Sequence, residues 1–220
     1  MAYPIGRSDS GYVVPSTVKH IGNSSFMAAK LSYLEIPNTV QSVGDHAFEA
    51  AFLDSIHLGQ SLVQIGESAF LRCMRLKSDV IPNSLKDIGE SAFMACMALT
   101  DVTIGDSVLS IGEGAFFGCE NLENVSFGVK VGFVKEFAFM GCKSLKYLEF
   151  KGATPPVFVL DVFDALLASG AVKASLGIGN ANSFVQNATQ TKVTVPCGTE
   201  KLYSDSLWSW FDNVVENCAD

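Results

Sequence analysis

Four cysteines, Cys73, Cys96, Cys119 and Cys142, recur every 23 residues, and sulfur at a fixed period is the first place to look for chemistry. Thiolates ligate metals, attack electrophiles or join as disulfides. Zinc sites, however, pair their ligands at C-x-x-C spacing to close a tetrahedron, and one sulfur every 23 residues does not do this. The corresponding slots in two earlier units hold Ala29 and Ala51. A position that accepts either alanine or cysteine reads as a small buried filler and not as a reactive group. Cys197 and Cys218 lie outside the series and can pair in an oxidising compartment.

The remaining candidates are sparse. His20, His46 and His57 have no cysteine, serine or carboxylate in a matching slot that would make a triad or a ligand set. They read as surface polar residues, with His57 facing outward from a strand. Gly177-Ile178-Gly179-Asn180 is too short for a phosphate loop and follows no clear strand. Asn23-Ser24-Ser25, Asn124-Val125-Ser126 and Asn187-Ala188-Thr189 fit the glycosylation pattern, which carries no meaning in a bacterial host. No catalytic site, metal site or cofactor is expected.

What would position any such residue is a repeat. Phe26, Phe48, Phe70, Phe93, Phe116 and Phe139 follow one another at 22, 22, 23, 23 and 23 residues. An apolar-glycine corner precedes most of them: Ile21-Gly22, Val43-Gly44, Ile65-Gly66, Ile88-Gly89 and Ile111-Gly112. A period in the twenties marks a solenoid, because one short unit cannot bury its own apolar face and copies must stack. Each unit begins with an alternating strand whose inward pairs are Tyr12/Val14, Leu34/Ile36, Ile56/Leu58, Val102/Ile104, Val125/Phe127 and Leu148/Phe150. Pro or Gly ends the strand. The corner glycine suits either positive φ or a close backbone approach, and the phenylalanines form an aromatic spine.

Three irregularities stand out. The first two units have one residue fewer between Phe and the next Leu. Asp79 falls where its neighbours carry Val102 and Val125; the cost of burying a lone carboxylate predicts a strand slip that turns Val80 inward. In the sixth unit, Lys135 replaces the corner glycine.

The repeat stops after Phe150, and the chain divides into a lead-in at 1–11, a solenoid at 12–152, and an insertion with a capping segment at 153–220. Thr154-Pro155-Pro156 is a stiff extended break. Residues 157–169 show helical spacing through Val159, Phe163, Leu166 and Leu167, with Gly170 as the stop. Residues 170–190 read as a long loop, 191–196 as a further strand, and the stretch around Leu202 and Tyr203 as a short helix. Trp208, Trp210 and Phe211 are the expected cap over the last open rung.

Composition narrows the function classes. A net charge of −8 opposes nucleic acid and anionic lipid, both of which need a basic surface. No apolar run is long enough to span a membrane. The N-terminus MAYPIGRSDSGY has no apolar core and is not a signal peptide as it stands, which fits either a cytosolic protein or a mature piece whose export signal has been removed.

The unit can be written L-x-x-[V/I]-x-[I/F]-P-x-x-[V/L]-x-x-I-G-x-x-A-F-x-x-C, and over Tyr12 to Phe150 it resembles the BspA-like class of leucine-rich repeat. Thr154-Pro155-Pro156, Val195 to Thr199, Tyr203 and Trp208 resemble the closing segment of such proteins. The resemblance implies an α/β solenoid: a right-handed leucine-rich repeat superhelix of short parallel strands, turns and short helical segments, with a C-terminal cap. It also implies a cysteine that serves as filler, an exported and surface-associated protein, and adhesion without catalysis. Leucine-rich solenoids commonly bind on their concave sheet. There the outward residues include Tyr33, Glu35, Ser55, His57, Asp101, Thr103, Asn124, Ser126, Tyr147 and Glu149, with the two tyrosines as anchors. The leading expectation is a cell-surface module for a protein or glycan partner, a host-derived one included. The alternatives are a structural spacer and an enzyme with a pocket at the 157–190 insertion.

Overall fold

A computed structural model describes residues 11–158, 191–204 and 213–218. In chain order its strands are β1 (Gly11–Val13), β2 (His20–Ile21), β3 (Tyr33–Ile36), β4 (Ser42–Val43), β5 (Ser55–Leu58), β6 (Gln64–Ile65), β7 (Ser78–Val80) and β8 (Asp87–Ile88), then β9 (Asp101–Thr103), β10 (Ser110–Ile111), β11 (Asn124–Phe127), β12 (Phe133–Val134), β13 (Tyr147–Phe150), β14 (Val157–Phe158), β15 (Lys192–Pro196) and β16 (Asn213–Asn217). Among the described residues one helix, α1 (Glu200–Ser204), lies between the last two strands. Every strand pairing is parallel and joins neighbouring coils of one solenoid.

The two-residue strands make one seven-stranded sheet, from β2 through every even-numbered strand to β14. The longer strands line another side and form two sheets, β1-β3-β5 and β7-β9-β11-β13-β15-β16. The core runs between them. Leu34, Ile36, Leu62, Val108, Leu122 and Val134 are fully buried, as are Ala47, Ala69, Ala92, Ala115 and Ala138 in front of the aromatic spine. From Phe26 to Phe139 the successive rings stack with centroids 4.9, 5.2, 5.1, 5.3 and 5.1 Å apart. Parallel strands are spaced at about 4.8 Å, so the backbone period itself sets near-ideal offset stacking.

The resemblance implies short helical segments within the coils, but the Ala-Phe segments are runs of turns. In a helix their amides would bond within the segment. Here only alternate amides close such local turns, as in Glu49 N to His46 O (3.1 Å), and those between them reach the next rung, as in Phe48 N to Ala69 O (2.8 Å), Phe70 N to Ala92 O (2.7 Å) and Phe93 N to Ala115 O (2.8 Å). Positive φ recurs two residues after the corner and two residues after the phenylalanine, for example at His46 and Ala50, Ser68 and Arg72, and Ser91 and Ala95. This alternation curls the chain while leaving every second amide pointing along the solenoid axis. Asn and Asp side chains extend the pattern. Asn38 Oδ1 accepts from Gln60 N at 2.7 Å, Asn83 Oδ1 from Asp106 N at 2.8 Å, and Asp45 Oδ1 from Glu67 N at 3.0 Å.

Of the two roles open to the corner glycine, the structure selects close approach. A Cβ on Gly89 would lie 2.5 Å from Gly66 O, and one on Gly112 would lie 2.7 Å from Gly89 C. Lys135 holds the same slot and keeps the rung bond, Lys135 N to Ile111 O at 3.0 Å.

The predicted slip at Asp79 does not occur. Asp79 is the Cα partner of Val102, and Val80 that of Thr103, so the backbone register continues in phase. A one-residue shift would have broken the rung bonds on either side, such as Thr100 N to Lys77 O and Ile81 N to Thr103 O, both 2.8 Å.

Beyond Phe150, residues 157 and 158 are not helical: β14 pairs with β12, and Val157 N bonds Gly132 O at 2.8 Å. The rest of the expected helix and the loop, residues 159–190, lie outside the described residues. So do Trp208, Trp210 and Phe211, the proposed cap. The strand expected at 191–196 forms as β15. It is followed by β16, which the sequence reading did not anticipate, and Cys197 and Cys218 at the ends of these two strands form a disulfide. Tyr203 of α1 is fully buried against Phe150, and its hydroxyl donates to Gly152 O at 2.7 Å.

Candidate functional site

The four periodic cysteines are buried, and each thiol donates to the carbonyl of a phenylalanine: Cys73 to Phe48 O (3.2 Å), Cys96 to Phe70 O (3.3 Å), Cys119 to Phe93 O (3.2 Å) and Cys142 to Phe116 O (3.3 Å). Burial pushes the Cys119 thiol up to about 12 and holds Cys142 well above its ordinary value. Protonated donors of this kind bind the turn ladder together and are not nucleophiles.

Cys197, Glu216 and Cys218 bring their ligand atoms within 4.8 Å of one another, a cluster that sequence spacing alone did not reveal. Both sulfurs are committed to the disulfide. The Glu216 carboxylate accepts backbone N–H bonds, including one from Glu200 N at 3.0 Å, which lower its proton affinity. This set anchors the final turn and is not an open coordination site.

The histidines are also accounted for. His20 Nδ1 lies 2.8 Å from Ser42 Oγ, His46 Nδ1 lies 2.8 Å from a Glu49 oxygen, and His57 is exposed on β5.

Strand alternation sends the ten predicted surface residues to the outer face of the long-strand sheets. Backbone register places Tyr33 and Ser55 in one column of β1-β3-β5, with Glu35 and His57 beside them. It likewise aligns Asp101, Asn124 and Tyr147, and Thr103, Ser126 and Glu149, on the six-stranded sheet. The ladder hydrogen bonds lapse between β5 and β7, which remain neighbours in the stack, and the predicted residues fall in one patch on each side of that point. Tyr33 and Tyr147 are five strands apart, roughly 24 Å, so one small ligand cannot span them.

The first patch is small. Tyr33, 38% exposed, donates to Glu35 Oε2 at 3.3 Å. Loss of water contact, with the Glu35 carboxylate adding to it, raises the Tyr33 phenol.

The second patch is a shallow depression of about 250 Å³, lined by Asp101, Thr103, Asn124, Ser126, Tyr147, Glu149 and Thr194 among others. Its side chains are held in place by one another. Asp101 accepts from Thr100 Oγ1 at 2.6 Å and from Asn124 Nδ2 at 2.6 Å, and these two donors lower its carboxyl pKa. Ser126 Oγ donates to Glu149 Oε2 at 2.6 Å. Tyr147 stands 54% exposed at the edge. Small-molecule pockets are commonly about 300–1,000 Å³ and enclose most of the ligand. This open, smaller hollow suits a protruding group of a larger partner.

Two other features escaped the sequence reading. A depression of about 540 Å³ on the short-strand side is lined by Gln64, Glu67, Lys86 and Asp87, among others. Phe52, Met74 and Met97, each at the position after the Ala/Cys slot, form an exposed apolar row. Reading that column vertically across the units would have found it.

Comparison with known proteins accords with this geometry. The sequence profile of the BspA type leucine rich repeat region matches in six copies over residues 10–111 and 86–209. A leucine-rich repeat protein of T. pallidum shares 30% identity over 80% of this chain and 88% of its own, with a TM-score of 0.66. A leucine-rich repeat protein from Bacteroides ovatus, 21% identical, is covered over 54% of its length and covers 93% of this chain with a TM-score of 0.57, a likeness of fold. No curated protein matches the chain significantly. Leucine-rich repeat proteins are typically non-enzymatic and commonly bind other proteins. With the repeat legible in the sequence, the coils stacked as it requires and the profile matched along most of the length, the chain belongs to the BspA-type leucine-rich repeat family.

Proposed function

We propose that this protein is a non-enzymatic recognition module that binds a protein or glycan partner through the outer face of its long-strand sheets, at the cell surface or outside the cell. The observation that carries this reading is the depression around Tyr147. It combines an exposed aromatic ring with polar groups fixed by their own hydrogen bonds, and a pre-organised polar surface around an aromatic anchor loses little entropy on binding. The disulfide between Cys197 and Cys218 supports an oxidising compartment.

The test pairs Tyr33→Ala with Tyr147→Ala and measures binding to a panel of purified extracellular proteins and immobilised glycans. The wild type is expected to bind at least one member, and the double variant to lose that binding with its thermal midpoint nearly unchanged. Equal binding by the double variant would assign recognition to another face.

A further inference from the structure

We propose that the depression beside Tyr147 receives a cationic side chain, arginine or lysine, projecting from a protein partner. This rests on the binding role proposed above and narrows it to a chemical class. Charge placement carries the inference. Asp101 on β9 and Glu149 on β13 stand two strands apart and two residues out of register, about 12 Å between Cα atoms, on either side of a floor made by Asn124 and Ser126. Their fields overlap in the hollow, since the screening length at physiological salt is about 8 Å.

Among the described residues, neither carboxylate is paired with a lysine or arginine: Asp101 accepts from Thr100 and Asn124, and Glu149 accepts from Ser126. Among the described residues, no lysine or arginine lines the depression. Tyr147 adds an exposed ring at its rim, the partner that a guanidinium or ammonium favours through the quadrupole of its face. The neighbouring cation is Lys192, the Cα partner of Tyr147 on β15. It lies outside the lining and opposes a second positive charge, which provides a variant with the opposite predicted sign.

The experiment immobilises short peptides that differ at a central arginine, lysine, glutamine or glutamate, alongside a neutral oligosaccharide, and measures binding of the full chain at low and high salt. The arginine and lysine peptides are expected to bind, and more weakly at high salt. Asp101→Asn with Glu149→Gln is expected to weaken that binding by about tenfold or more. Tyr147→Ala is expected to weaken it by a few fold, with Tyr147→Phe retaining it, and Lys192→Gln to strengthen it. A control, Glu67→Gln with Glu90→Gln, removes the same charge from exposed positions elsewhere and is expected to change little.

Equal binding of arginine and glutamine peptides overturns the inference, as does equal weakening by the control pair, which would indicate bulk charge alone. Binding of the oligosaccharide and of no peptide also overturns it. If that oligosaccharide binding depends on Tyr147, the broader recognition role survives while this assignment fails.

Discussion

The guanidinium of Arg75 holds the carboxylate of Asp54 with two hydrogen bonds, Nε to Oδ1 at 2.8 Å and Nη2 to Oδ2 at 2.9 Å. The pair joins the rungs at the point where the long-strand ladder is interrupted between β5 and β7. The extra residue between Phe and Leu first enters the repeat in this turn, between Phe70 and Leu76. A change of repeat length therefore coincides with a broken sheet and a bidentate clasp across it.

Because both partners are partly exposed, their coupling is modest. A double-mutant cycle with Arg75→Ala and Asp54→Ala, read by urea denaturation, is expected to give about 0.5–1 kcal/mol, diminishing in high salt. A coupling indistinguishable from zero at low salt would mean that the clasp does not stabilise the junction.

Gly89→Ala puts a methyl against Gly66 O and Gly66 C, at 2.5 and 2.7 Å, and the backbone of that neighbouring rung cannot yield cheaply. Destabilisation of about 1–3 kcal/mol is expected. Gly132→Ala, where the nearest atom is 3.7 Å away, is expected to stay within about 0.5 kcal/mol of wild type. Equal thermal midpoints for the two variants would contradict the close-approach role.

Burial raises the Cys119 thiol from its ordinary 9.0 to about 12. The folded state therefore keeps a proton that the unfolded state releases, and the associated stability is present below pH 9 and lost as pH rises towards 12. Cys119→Ala is expected to flatten the decline in stability across this window. Native protein is also expected to leave all four periodic thiols unlabelled by iodoacetamide until urea is added. Labelling of the folded protein at pH 8 would refute the protonated-donor role.

The Cys197–Cys218 link closes a segment with a sequence separation of 21. Loop-closure entropy for that length predicts that Cys197→Ser with Cys218→Ser costs about 3 kcal/mol of unfolding stability. Intact mass before and after reduction is expected to differ by two hydrogens.

The coil period, the inward strand residues and the phenylalanine spine were legible in the chain because each unit repeats one pattern and stacking leaves a single consistent register. The filler cysteines were legible too, through the alanines that share their slot. Their second duty, closing a phenylalanine carbonyl on another coil, depends on a direction in space that no spacing encodes. Asp79 shows the limit of single-residue reasoning. Local burial cost favoured a slip, but neighbouring rung bonds on both sides kept the backbone in phase.

The same division holds for the surface. Alternation identified which side chains leave the core, since strand residues change face at every step. Only the tertiary structure set Tyr33 and Tyr147 five strands apart and brought the hydrogen-bonded pairs Asp101–Asn124 and Ser126–Glu149 to one hollow. The bonded pairs, Asp101 with Asn124 and Ser126 with Glu149, are each 23 positions apart, and contact between them arises from the rise of each coil along the solenoid axis. The sequence determined that these coils stack; the stacked backbone decided which polar groups meet.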